Sequence, residues 1–173
     1  LVTGHIVPEA LTVIDRIAEG KEALRIQYGK DYQVSHQKSV VTGEIFDYIS
    51  SVRQGRFQTG LLGLHQIENA GMALALLVTY CQEAGRELAS NDLVAQALKE
   101  TRWPGRLEVV YSDPLLLLDG AHNPHAIKVL LATLQDRFAD YLKELLFTCI
   151  KPKALEDMLD LLETGPESQL TLP

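Results

Sequence analysis

The chain has 173 residues, of which 46% are hydrophobic and 23% charged, and its formal net charge is −7. That balance supports a packed core in one domain or two small ones and excludes a disordered chain. No block of Lys and Arg occurs, so long-range attraction to nucleic acid or to an anionic membrane is not expected, although a few cations in a cleft would not show in the net charge.

Leu1 to Thr3 carry neither an initiator Met nor a basic leader and read as the end of a strand, so the chain is expected to be part of a longer one. The longest apolar stretch, Met72 to Val78, falls far short of the ~20 residues of a membrane span. Cys81 and Cys149 each sit in an apolar run without CxxC or metal spacing. They fit buried thiols in a reducing, cytoplasmic setting.

Val7-Pro8 opens a helix, with Ala10, Leu11, Ile14, Ile17 and Ala18 at helical spacing and Gly20 as the stop. Short strands are expected at Leu24–Tyr28 and Tyr32–His36, around a Gly29-Lys30-Asp31 turn. Residues Gln37 to Gln58 are β-rich, with strands at Val40-Val41 and Ile45-Phe46 and a turn at Arg53 to Arg56. Gly60 to Leu64 reads as a short buried strand. A long helix begins near His65, with Ile67, Ala70, Leu74, Leu77, Val78 and Cys81 on one face. Met72, Ala73, Ala75 and Leu76 make its other face apolar too, which implies burial on more than one side, and Gly85 ends it. Ser90 can cap a following helix with Leu93, Val94, Ala97 and Leu98 as its buried stripe.

Pro104-Gly105 breaks any helix, and a domain boundary is placed near Arg102, giving domains 1–101 and 102–173. Beyond it come a strand at Leu107–Tyr111, a turn at Ser112-Asp113-Pro114 and a fully apolar strand at Leu115–Leu118, as expected for one covered on both faces. A helix from Pro124 carries Ile127, Leu130, Leu131, Leu134 and Phe138. Strand Leu145–Ile150, a helix with Leu155, Met158, Leu159 and Leu162, and a strand at Leu170–Leu172 complete the pattern. Strands alternating with helices are the sequence form of an α/β, doubly wound parallel sheet.

Three segments carry chemistry. In Leu118-Asp119-Gly120-Ala121-His122-Asn123-Pro124 a strand ends in a carboxylate, a glycine allows a sharp turn, and a helix begins. Ligands bind outside the carboxyl ends of such strands, and a helix N-terminus attracts phosphate or carboxylate. Asp119 suits a ribose hydroxyl or another donor, and His122 lies beside where an anion would sit. The same turn is also simply a good N-cap followed by Pro, with Asp119 satisfying loop amides; both readings stand. Asp119, His122 and His125 do not form a recognised metal-ligand spacing. In Arg102-Trp103-Pro104-Gly105-Arg106-Leu107-Glu108, Arg106 is a guanidinium just past a rigid turn, either a phosphate contact or a surface arginine at a hinge. Trp103 reads as interdomain packing. In Gly63-Leu64-His65-Gln66-Ile67-Glu68-Asn69-Ala70, His65 and Asn69 share a helix face. Asn69 carries the donor and acceptor that an adenine edge requires, or is simply part of a polar first turn. Lys151 and Lys153 could approach a phosphate or a carboxylate, or begin a solvated helix.

Taken together, Asp-Gly-Ala-His-Asn-Pro after an apolar strand, Trp-Pro-Gly-Arg upstream, and His-x-x-x-Asn-Ala before a long Ala/Leu helix resemble the folylpolyglutamate synthase/dihydrofolate synthase family of the Mur-ligase-like group. Val2-Thr3-Gly4 and Pro8-Glu9-Ala10-Leu11 resemble it as well. The resemblance implies the end of a central ATPase-type α/β domain followed by the start of a Rossmann-like domain, the two closing over ATP. It implies an ATP-dependent ligase that activates a pterin carboxyl as an acyl phosphate and joins it to L-glutamate. Asn69 would contact adenine, Arg106 the phosphates and Asp119 the ribose, with His122 catalytic near the phosphate or glutamate end. The implied ligands are ATP, Mg²⁺, L-glutamate and folate or dihydropteroate, with no nucleic acid or membrane partner, and the expected state is a monomer.

The sequence departs from the family in having no G-x-x-x-x-G-K-[ST] loop. That loop, the Mg²⁺-binding residues and the pterin site would lie upstream of Leu1, so this piece alone is expected neither to turn over substrate nor to bind MgATP tightly. A Mur-type peptide ligase and a non-catalytic nucleotide-binding module are the rival readings. A nicotinamide-dependent dehydrogenase lacks its glycine fingerprint.

Overall fold

The structure is a computed structural model that describes residues 1–141, 143–149, 154–163 and 168–171. The chain divides into two compact units, Leu1–Arg102 and Trp103–Pro173.

In the first unit, β1 (Val2–Thr3) pairs in parallel with β2 (Ile26–Gln27), and α1 (Pro8–Gly20) makes the crossover. Pro8 sits in the first turn of α1, where its missing N–H costs nothing. β3 (Tyr32–Val40), β4 (Gly43–Ser50) and β5 (Gln54–Thr59) form an antiparallel meander in sequence order. Along β4, Glu44, Phe46 and Tyr48 are buried while Ile49 is exposed, the period-two alternation of a sheet with one covered face. The cover is α2 (His65–Glu83), whose Ile67, Ala70, Leu74 and Ala75 join Tyr32, Phe46, Tyr48 and Phe57 in one core. Gly71 permits this approach, because a Cβ there would run into Val34 Cγ1. α3 (Asn91–Glu100) packs on β5 and adds Val94 to the same core.

Several local expectations change. The turn after β4 lies before Arg53, not across Arg53 to Arg56: Ser50 Oγ accepts from the Arg53 amide at 3.1 Å, closing it early, and β5 begins at Gln54. Gly60 to Leu64 is not a strand. Its backbone donors are spent elsewhere: Gly60 N–H donates to Leu98 O, Leu61 N–H to Thr59 Oγ1 and Gly63 N–H to Glu44 Oε1. On α3 the inward residues are Val94, Ala95 and Leu98, while Leu93 and Ala97 are exposed, because only one side of this helix meets the sheet. On α2, Ala73 and Leu76 also face outward.

In the second unit, β6 (Glu108–Ser112) and β7 (Leu115–Leu118) form an antiparallel hairpin around a cis Asp113–Pro114 bond. This corrects the expectation that the Leu115–Leu118 strand opens a run of parallel strands covered on both faces. Leu116 and Leu118 are 56% and 53% exposed, and among the described residues β7 pairs with β6 alone. α4 (Pro124–Arg137) follows. Then β8 (Lys143–Leu146), α5 (Leu155–Glu163) and β9 (Ser168–Thr171) form a unit in which β8 and β9 pair in parallel. Ile127 of α4 packs against Met158 and Leu162 of α5 as the core. Ile150, Lys151, Lys153 and Leu172, which the sequence reading used, lie outside the described residues. Among the described residues no helix is long and apolar enough to cross a membrane.

Candidate functional site

The site in the second unit is built from two loops tied together by one carboxylate. Asp119, at the end of β7, accepts from the Leu107 amide through Oδ2 and from the Ala121 amide through Oδ1, both at 2.8 Å. The Gly120 amide donates to Gly105 O at 2.8 Å, so the loops also meet through backbone. On the upstream side Glu108 Oε2 accepts from the Gly105 amide at 2.9 Å, and the Arg106 amide donates to Trp103 O at 3.2 Å. The turn holds Gly105 at φ +71° and Leu107 at φ +45°. A left-handed leucine is strained by roughly 1–2 kcal/mol. The buried Leu107 side chain and the Asp119 bond to its amide offset that cost.

Arg106 lies between these two anchored residues with its side chain exposed, and no hydrogen bond or ion pair engages its guanidinium among the described residues. His122 Nδ1 is 2.8 Å from Gly120 O. A carbonyl can only accept, so the ring proton sits on Nδ1 and Nε2 is left for a ligand. Asn123 caps α4, its side chain accepting from the Ala126 amide at 2.9 Å. Pro124 has no N–H to give, so the helix N-terminus offers mainly the His125 amide, fewer free donors than expected.

The structure therefore brings Arg106, Asp119 and His122 to one laced pair of loops. Asp119 satisfies loop amides, as one of its two sequence readings has it: two of its roughly four lone-pair positions go to the Leu107 and Ala121 amides. Among the described residues, no group of three or more His, Cys, Asp and Glu side chains is gathered that could hold a metal ion. Asn69 belongs to the first unit, exposed on the first turn of α2, where its Nδ2 donates to Gln66 Oε1 at 3.0 Å.

Two relevant residues escaped sequence reasoning. Gln66 is buried beside Asn69, and its i, i+3 spacing was the available signal. Glu44 is fully buried at an inward register of β4, betrayed only by the alternation Glu44, Phe46, Tyr48.

No family model matches the chain. The dihydrofolate synthase/folylpolyglutamate synthase of Bacillus subtilis is 30% identical over 165 residues, covering 95% of this chain and 38% of that protein. The apo folylpolyglutamate synthase of Lacticaseibacillus casei superposes with a TM-score of 0.87 at 26% identity, over 99% of this chain and 40% of the other. A folylpolyglutamate synthase solved as a complex with AMPPCP and folate gives a TM-score of 0.87 at 25% identity, over 95% of this chain and 40% of the other. The chain belongs to the folylpolyglutamate synthase/dihydrofolate synthase family, within the Mur ligase superfamily. Its mixed α/β fold matches part of the folylpolyglutamate synthase structures, and it spans about 40% of their length. The family is one of ATP-dependent acid–amino acid ligases that add glutamate.

Proposed function

We propose that this segment works within a longer folylpolyglutamate/dihydrofolate synthase as its nucleotide-handling portion. In that reading Asn69 reads the adenine edge, Asp119 accepts from a ribose hydroxyl, Arg106 stabilises the phosphates, and His122 faces the phosphate or glutamate end. Leu1–Arg102 would be the end of the central ATPase-type domain, and Trp103–Pro173 the start of the Rossmann-like domain. The observation that carries the reading is the Asp119 brace. It fixes the backbone just after Arg106 and just before His122, so a free guanidinium and a free imidazole nitrogen are presented from a preset frame.

The reaction moves the γ-phosphoryl group of ATP onto a carboxyl of the pterin substrate, and the glutamate amine then displaces phosphate to form the amide. What this chain's residues supply is position and charge. Arg106, anchored through its backbone neighbours, donates a fixed fork of N–H groups to phosphate oxygens and counters their charge without reorganising. Asp119 orients the sugar, which places the transferring group for in-line attack. His122, with its proton held on Nδ1, accepts or passes a proton at Nε2 in its neutral form and supports negative charge when protonated. Mg²⁺ neutralises phosphate charge in such transfers. The described residues assemble no set that fits it, so its ligands are assigned to other parts of the longer chain.

The test uses the product of the complete reading frame, incubated with MgATP, L-glutamate and either dihydropteroate or a reduced folate. Glutamate-dependent product by mass spectrometry, lost in Arg106→Ala, is expected. A folded, ATP-binding protein that glutamylates neither pterin would overturn the reading and turn attention to a peptide ligase or a non-catalytic module.

A further inference from the structure

Around Arg106 each backbone amide is spent on an anchor. Gly105 N–H donates to Glu108 Oε2 at 2.9 Å, Arg106 N–H to Trp103 O at 3.2 Å, and Leu107 N–H to Asp119 Oδ2 at 2.8 Å. The proposed function uses the Asp119 bond and leaves the Glu108 bond without a role. Glu108 holds the residue just before Arg106, as Asp119 holds the one just after. Its own backbone is set by the hairpin, since Glu108 opens β6 opposite Leu118 of β7. The carboxylate also has a competing use that it does not take. Along an extended chain, residues two apart project from the same face, where opposite charges can meet. Arg106 and Glu108 stand at that spacing, yet among the described residues no ion pair joins them. Leu107 between them is left-handed, at φ +45°, which interrupts the alternation, and Glu108 reaches back to the Gly105 amide instead. Gly105, at φ +71°, offers that amide from a conformation glycine adopts without a steric penalty.

We propose that Glu108 is a positioning residue for Arg106: by holding the Gly105 amide it sets the chain on the N-terminal side of the arginine and keeps the guanidinium open for an anion. The inference rests on the ligase reading above, in which Arg106 meets the nucleotide phosphates. A carboxylate paired with Arg106 would counter its charge and take up the fork of N–H groups that a phosphate requires. The same carboxylate bonded to backbone leaves the fork unoccupied and stiffens the turn that carries it. Arg106 is then bracketed by two side-chain anchors, Glu108 upstream and Asp119 downstream, and needs little rearrangement to engage phosphate oxygens. Glu108 touches no ligand in this arrangement; it acts only through the residue it places. The bond, rather than the negative charge, is what the site requires of it.

The experiment measures equilibrium affinity for the ATP analogue AMPPCP and for adenosine with the enzyme made from the complete reading frame. Three substitutions separate the bond from the charge. Glu108→Gln keeps an acceptor at full reach and removes the charge, Glu108→Asp keeps the charge and falls one methylene short, and Glu108→Ala removes both. Glu108→Asp and Glu108→Ala should each bind AMPPCP about tenfold more weakly, roughly the worth of one charge-assisted hydrogen bond, while Glu108→Gln stays within about threefold of the wild type. Adenosine, which carries no phosphate, should bind all of them alike. In an Arg106→Ala background, Glu108→Ala should add less than about twofold, because the residue it places is gone. A residue that merely supports the fold would weaken adenosine as well and keep its full effect in that background. Either result overturns the proposal, as does wild-type AMPPCP affinity in folded Glu108→Ala or Glu108→Asp, or a tenfold loss in Glu108→Gln. An Arg106→Ala enzyme that binds AMPPCP as the wild type does sinks the phosphate contact of the ligase reading, and this proposal with it.

Discussion

Replacing Asp119 with alanine should unlace the two loops even when no nucleotide is present. The carboxylate makes two short bonds to backbone amides, at Leu107 and Ala121. A hydrogen bond to a charged group contributes about 1.5–3 kcal/mol, so complete loss without compensation would cost ~3–6 kcal/mol. Asp119 is only half-buried, and water can reach part of what the carboxylate leaves, which brings the expected local cost down to ~2–3 kcal/mol. Leu107 adds to the effect: its left-handed backbone, φ +45°, is held partly by the Asp119 bond and relaxes once that bond is gone. At ~1.4 kcal/mol per factor of ten, amide hydrogen exchange at Leu107 and Ala121 should accelerate by about 30- to 140-fold. Asp119→Asn retains one acceptor and should show about half that free-energy loss. The assay is exchange on this chain, read residue by residue, with amides of α2 as an internal reference that stays constant. Exchange at Leu107 within about threefold of the wild type would refute the bracing role. On the role proposed for Asp119, weaker ATP use by an Asp119 variant would combine lost loop geometry with loss of the proposed ribose contact.

The Asp47–Arg56 pair supplies a pH signature. The two residues face each other across β4 and β5, with Arg56 Nε 2.7 Å from Oδ1 and Nη2 3.0 Å from Oδ2, and the Arg56 hydrogen bonds hold the Asp47 carboxyl below the usual carboxylate range. A carboxyl with a depressed folded pKa stabilises above its unfolded pKa and loses that contribution as pH falls through the folded value. Asp47→Asn should therefore lower the melting temperature at neutral pH, with the gap closing as the pH is taken below the ordinary aspartate range; a gap independent of pH contradicts this. Gly71→Ala would push a methyl into Val34 Cγ1, between α2 and β3. Overpacking of this kind costs about 1–3 kcal/mol, read as a lower denaturation midpoint, and Val34→Ala in the same chain should recover part of it. No recovery would show that the strain lies elsewhere.

Elements that announce themselves through local chemistry were legible in the sequence: Pro8 opening α1, Ser90 and Asn123 capping α3 and α4 with their own side chains, and Gly85 just beyond α2. The loops carrying Arg106, Asp119 and His122 were legible for the same reason, since strand, glycine turn and capped helix follow one another without a gap. What stayed hidden depends on partners distant in sequence. The apolar run Gly60 to Leu64 reads as a strand because nothing local reveals that Glu44 and Leu98 take its backbone donors. Leu107's left-handed backbone is held in part by Asp119, from the far side of a hairpin. The antiparallel pairing of β6 and β7 was available in principle. Parallel strands need a crossover of a dozen residues or so, and Asp113-Pro114 leaves room only for a hairpin. An all-leucine run like β7 has the pattern of a parallel strand covered on both faces, which masks that constraint.

The most direct test of the account follows one oxygen atom. The full-length enzyme is given MgATP, L-glutamate and a pterin acceptor whose reacting carboxyl carries ¹⁸O, and the released phosphate is examined by mass spectrometry. If the carboxyl is phosphorylated and then attacked by the glutamate amine, one carboxyl oxygen leaves with the phosphate and glutamylated pterin appears in equal amount. Unlabelled phosphate, or phosphate released without glutamylated product, would contradict the assignment of this chain to ATP-driven amide ligation.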